Sequence, residues 1–204
     1  MRSAPNFGGA FSERIDQMEP NALLSALHTA EGLKDMTRHC VTSQGRRESV
    51  AEHSWRLVLM AYWIRDEFPE ADFDRVIRMC LIHDLGECFT GDIPTFQKTE
   101  ADEEKEEELL FAWVRTLPQS YAGEMEALYR EMEEQATTEA RIYKALDNME
   151  AVIQHNESPI SSWAPNEYEL NRTYGWDKAA FSPYLTALRQ AVLAETEEKI
   201  RENR

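Results

Sequence analysis

The sequence predicts an all-α protein, a compact helical bundle with a mononuclear metal site between its helices. Three observations carry that expectation. Apolar residues recur at helical spacing through most of the chain, and no stretch of any length alternates as a strand does. Eight glycines and eight prolines in 204 residues, 42% of them hydrophobic, suit a helical domain with a sizeable core. In residues 75–92, RVIRMCLIHDLGECFTGD, an amphipathic helix with a stripe of Val76, Ile77, Cys80 and Leu81 meets His83, Asp84 and Glu87 where that stripe should continue. An ionised carboxylate beside an imidazole on a buried face costs several kcal/mol unless it is neutralised, and a divalent cation does that most directly.

The elements follow in order. Residues 1–19 hold Pro5, Gly8 and Gly9 without periodicity and read as a flexible lead-in, with one domain over residues 20–204. A first helix is expected over residues 20–31, stopped by Gly32. Residues 33–48 carry the one basic concentration, Lys34, Arg38, Arg46 and Arg47, which is either a solvated loop or an anion clamp. Ser49 and Glu52 form a capping box that starts a strong helix ending before Pro69, and His53 lines up on it with Val50, Leu57, Ala61 and Ile64.

The third helix starts near Asp72 and carries His83 and Asp84, followed by a turn at Ile93, Pro94 and Thr95. Residues 100–108, nearly all acidic, read as a solvated helix start, and residues 124–134 as a surface helix. A helix over residues 138–155 packs through Ile142, Leu146, Met149 and Ile153, with Asp147, a poor helix former, at the edge of the stripe. Residues 156–177 read as an irregular connection, Ser182 and Pro183 open a last helix, and residues 195–204 form a charged tail.

The net charge of −16 argues against nucleic acid polymers and anionic membranes, which select a basic face. A phosphate-bearing small molecule remains compatible if a cation and a few arginines make one pocket locally positive. Three cysteines, Cys40, Cys80 and Cys88, without paired spacing read as reduced thiols in a cytoplasmic protein. The longest apolar run, residues 57–64, is far too short for a membrane span.

His53, His83, Asp84 and Asp147 together offer two imidazoles and two carboxylates from three helices, a mixed set suited to a borderline divalent metal. This H…HD…D pattern resembles the HD phosphohydrolase superfamily. More narrowly, ESVAEHS at residues 48–54 and HDLGECFTGDIPT at residues 83–95 resemble the YfbR-type 5′-deoxynucleotidases and their eukaryotic HD-domain relatives, over residues 33–155.

The resemblance implies an HD-domain fold in which His53, His83, Asp84 and Asp147 hold one divalent ion, with Co, Mn, Zn, Fe, Ni and Mg not distinguished. It implies that Arg38 binds the substrate phosphate, Glu87 orients or deprotonates the attacking water, Asp92 contacts the sugar or the leaving oxygen, and Arg46 matches a basic position before the capping box. It also implies a homodimer. Where bacterial members have a Trp after the phosphate-binding Arg, this chain has His39, a departure that bears on sugar selection.

The expected activity is a metal-dependent phosphomonoesterase acting on nucleoside 5′-monophosphates, in particular deoxyribonucleotides. A two-metal oxygenase or phosphodiesterase needs further histidines, and none occurs between His83 and His155. A guanosine-tetraphosphate-type hydrolase shares H…HD…D but fits the Glu87 and Gly91-Asp92 context less well. A helical interaction protein with a satisfied polar core would need neither Glu87 nor Arg38.

Overall fold

The computed structural model describes residues 16–94 and 97–203. The lead-in expected over residues 1–19 therefore lies outside the described residues as far as residue 15, as do Thr95 of the expected turn and Arg204. Helix α1 (Pro20–Ala30) does not stop at Gly32 but tightens into a 3-10 turn, Glu31–Lys34.

The basic segment is not a plain loop. It folds into an antiparallel hairpin, β1 (Thr37–Val41) and β2 (Arg47–Ser49), turned through Gly45 at a φ of +80°. Strands of five and three residues are too short to show a period-two signal, and they persist because tertiary bonds hold them. Gln154 Nε2 and Ser158 Oγ both donate to the Val41 carbonyl, at 2.7 and 2.5 Å.

Helix α2 (Val50–Ile64) starts at the expected capping box and buries Val50, His53, Leu57, Ala61 and Ile64 along one stripe. Helix α3 (Phe73–Ile82) ends one residue short of His83. His83 and Asp84 thus lie in the turn after the helix, where Leu85 donates to Ile82, Glu87 to Asp84 and Cys88 to Leu85 in successive tight turns. The Ile82 carbonyl at the helix end also accepts from the Tyr129 hydroxyl at 2.6 Å, a tertiary bond that holds the start of the turn. The core stripe of α3 is Phe73, Val76, Met79 and Cys80, and Leu81, one residue round from Cys80, points outward at 59% exposure.

After the short α4 (Glu87–Thr90) come α5 (Glu100–Val114) and α6 (Gln119–Glu134). Helix α7 (Thr138–Glu157) follows, then α8 (Glu167–Thr173), α9 (Trp176–Ala179) and α10 (Pro183–Glu202). The connection expected to be irregular therefore contains α8. The charged tail continues α10 as helix to Glu202, because Thr196 and Ile200 are buried beneath its charged outer face.

Helix α7 lies at the centre. Its Ile142, Leu146 and Met149 share one core with Leu57 and Ala61 of α2, Val76, Met79 and Cys80 of α3, Leu128 and Met132 of α6, and Leu185 of α10. Each fully buried aliphatic side chain there contributes about 1.5–3 kcal/mol. A smaller cluster of Leu110, Val114 and Ala122 receives Leu85, which anchors the turn after α3. Among the described residues, no helix is long and apolar enough to cross a membrane.

Candidate metal centre

The core-facing stripes of α2 and α7 and the turn after α3 converge on one point. His53 Nε2 lies 3.1 Å from His83 Nε2, 3.3 Å from Asp147 Oδ1 and 3.7 Å from Asp84 Oδ2. His83 Nε2 lies 2.9 Å from Asp84 Oδ2 and 3.8 Å from Asp147 Oδ1. Ligands bonded at about 2.0–2.2 Å to one cation stand roughly 3–4 Å apart, so these five separations suit a shared ion. The group whose ligand atoms all lie within 4.8 Å of one another is His53, His83 and Asp84, and Asp147 approaches it through the two imidazoles.

The donor set itself demands positive charge. His83 Nδ1 faces the Cys80 carbonyl at 3.0 Å, and a carbonyl only accepts, so Nδ1 donates and Nε2 is the atom turned towards the other side chains. His53 Nδ1 likewise donates to the Glu150 carboxylate. With both Nε2 atoms deprotonated, two lone pairs and two carboxylates would meet at one buried point, an arrangement that only a metal cation or a proton relieves.

A proton competes for that place. Burial and the Arg38 guanidinium oppose charging His53, but Glu150 and the hydrogen bond to Asp147 outweigh them and hold its pKa up to about 9. Asp84 is held down to about 2, where burial is overcome by His83 and then His53. Burial also works against the charge on Asp147, but Lys144, 2.8 Å from its other oxygen, and the two imidazoles hold the carboxyl well below the usual range.

Around these candidate ligands stands a shell of charges of which sequence reasoning singled out Arg38 alone. Glu150 is fully buried and joins His53 to Arg56, at 2.6 Å, and Arg38, at 3.3 Å. Its signal was available, since it lies three residues after Asp147 on the same face of a helix. Arg38 also stands 3.9 Å from the buried Glu48. Glu106, within the run read as solvated, accepts from Lys98 at 2.8 Å and from the Thr90 hydroxyl at 3.2 Å.

Glu87 is buried, and its Oε2 finds no hydrogen-bond partner among the described residues. Burial, then repulsion from Asp84, Asp92 and Glu106, pushes its carboxyl up to about 10. Asp92 is raised by burial and by Asp84, while Arg38 and a hydrogen bond from the His39 backbone hold it back. Glu87, Asp92 and Arg38 therefore all feel the centre. Arg46 is elsewhere: its guanidinium, 60% exposed, makes two bonds of 2.7 and 2.8 Å to Glu52 of the capping box. The His39 ring turns away from Arg38 towards Glu167, 2.9 Å from Oε1.

The fold is a helical bundle that gathers His and Asp side chains where they could hold a cation. A family model described as HD domain matches residues 30–189, and the chain belongs to that family. The match runs past residue 155 into α10, beyond the stretch carrying the sequence resemblance. The chain is 35% identical to human 5′-deoxynucleotidase HDDC2 over 114 residues, 55% of each chain, so it spans about half the length of that relative. It is 32% identical to the Xenopus laevis protein of the same name over 160 residues, 76% of this chain and 77% of that one. A crystal structure described as a predicted metal-dependent phosphohydrolase from Magnetospirillum magnetotacticum is 28% identical. It covers 90% of this chain and 97% of that one with a TM-score of 0.73.

Proposed function

We propose that the chain is a mononuclear, metal-dependent phosphomonoesterase that releases phosphate from nucleoside 5′-monophosphates, with deoxyribonucleotides as its substrates. The observation that carries this is the buried Glu87 carboxyl, with one oxygen unpartnered, beside a four-ligand centre. Relatives named as 5′-deoxynucleotidases support the substrate class.

His53, His83, Asp84 and Asp147 would hold a divalent cation, which when bound would supply positive charge to acidify a water and stabilise the phosphoryl oxygens. Glu87 then handles the proton. Neutralising Asp84 would lift one source of the repulsion that raises Glu87, while burial, the largest cause, still favours its protonated form, as suits a group that exchanges a proton with the attacking water. Arg38 offers a second positive group to the phosphoryl oxygens, and Glu150 fixes it in place. Asp92, held by the His39 backbone, is positioned for a sugar hydroxyl or the leaving oxygen.

The same reading includes a cytoplasmic homodimer, consistent with three free thiols and testable by sedimentation of the purified chain. The activity is tested with a panel of deoxy- and ribonucleoside 5′-monophosphates, guanosine tetraphosphate and cyclic phosphates, each with Mn, Co and Mg. Phosphate release from 5′-monophosphates, with deoxy forms preferred, is expected. A metal-loaded chain that releases none from any of them overturns the reading.

A further inference from the structure

A second group of side chains repeats the logic of the first at a different place in the fold. His39 of β1, His155 near the end of α7 and Glu167 at the start of α8 bring two ring nitrogens and a carboxylate oxygen within 4.8 Å of one another. Glu167 Oε1 lies 2.9 Å from His155 Nε2 and 2.9 Å from His39 Nε2. His155 and Asp147 are eight residues apart on α7, about 12 Å along its axis, so this cluster is separate from the HD centre.

Hydrogen bonding fixes how the ligands point. His155 Nδ1 faces the Ala151 carbonyl at 2.8 Å and donates to it, which fixes the ring and aims Nε2 at Glu167 Oε1, 2.9 Å away. The other carboxylate oxygen accepts from the Ala164 backbone N–H at 2.5 Å, so Oε1 is the oxygen that faces the two imidazoles. Glu167 is 1% exposed and the His39 side chain about a third exposed, with the His39 Nε2 atom itself buried. The Trp163 ring meets His155 edge to face and its Nε1 donates to the His155 carbonyl at 3.0 Å, closing one wall. Separations of 2.9 Å match adjacent ligands of a cation at about 2.05 Å with angles near 90°.

We propose that His39, His155 and Glu167 form a second binding site, for a borderline divalent transition cation of the zinc class, that ties the β1–β2 hairpin to α7 and α8. This does not depend on the chain hydrolysing nucleotides. Its consequence is mechanical: His39 is the neighbour of Arg38, so a cation there fixes the strand that carries Arg38. The competing account is an imidazolium of His155 paired with Glu167 and no metal.

The two accounts differ in stoichiometry. The metal-free full-length chain is titrated with Zn(II), alongside Asp147→Asn, which removes a ligand of the HD centre, and His155→Gln. Two equivalents are expected for the unmodified chain and one for each variant, and the zinc-dependent rise in unfolding temperature, about 5 °C or more at saturation, should persist in Asp147→Asn. An Asp147→Asn chain that binds none, or a His155→Gln chain that binds as many equivalents as the unmodified chain, overturns the proposal. If His155→Gln does not fold, the Asp147→Asn chain decides the matter by itself. Loss of zinc from the HD centre alone would count against the proposed hydrolase and leave this site standing.

Discussion

The metal centre has two halves made in different ways. His53 on α2, and Asp147 and Glu150 on α7, sit on the interior faces of long helices and are locked by the core around Leu57, Leu146 and Met149. His83, Asp84, Glu87 and Asp92 hang on the chain between the end of α3 and the start of α5, shaped by tight turns and by Leu85 packed into the satellite cluster. The helix-borne half holds the shell of Glu150, Arg38 and Lys144 that sets orientation and charge. The turn-borne half carries two of the four proposed ligands, with Glu87 and Asp92, proposed to act on water and on the sugar or leaving oxygen.

If the division holds, a ligand from either half is indispensable, while the remaining turn residues are separable from metal binding. His83→Ala or Asp84→Ala should bring both the metal content of this centre and phosphate release to background, as elemental analysis and a phosphate assay would show. Glu87→Gln should keep the metal and lower kcat by roughly 10²–10⁴-fold. Full activity in Glu87→Gln would leave the fold intact and break the proposed mechanism.

The helix-borne half is sharpened by Glu150→Gln. Outer residues that orient a ligating histidine are worth about 10–100-fold in metal affinity. With His53 held up to about 9, a proton occupies its ring at neutral pH, so binding a cation expels a proton. Affinity should therefore climb with pH, about tenfold per unit, and level off above pH 9. Glu150→Gln removes the charge that raises His53, so the variant should bind more weakly at high pH yet show a shallower pH slope. Calorimetric titrations at several pH values separate the two effects, and an unchanged slope would remove Glu150 from this role.

The same two halves differ in how legible they were. His53 and Asp147 could be read because each is a polar intruder in a regular apolar stripe, and a stripe is a local property of sequence. The turn after α3 could not, since its start is held by the Tyr129 hydroxyl on Ile82, 47 residues away. Glu106 was hidden by its acidic neighbours: composition gives a solvated face, and only packing selects the one carboxylate turned inward against Gly86. The hairpin was missed because its strands are short and are held by Gln154 and Ser158, distant in the chain. The comparison with known proteins placed the family over residues 30–189, where the motif-bearing stretch alone pointed to residues 33–155.

The smallest expected effect probes how firmly the turn-borne half is seated. Gly86 has a φ of −60°, which any residue adopts, so its requirement is for space rather than backbone freedom. A Cβ there would come within 2.7 Å of Glu106 Cγ and 2.9 Å of its Oε1. Glu106 cannot retreat freely, because Lys98 and Thr90 both hold its carboxylate. Gly86→Ala should therefore cost about 1–3 kcal/mol of stability through overpacking, with the metal retained. Glu106→Ala opens the space but frees Lys98, so each single change should lower the unfolding temperature. The double variant should be less destabilised than the sum of the two, as expected for residues in direct contact. Strict additivity in that cycle would mean that Gly86 and Glu106 do not touch in solution and that the turn bearing His83 and Asp84 is seated by Leu85 alone.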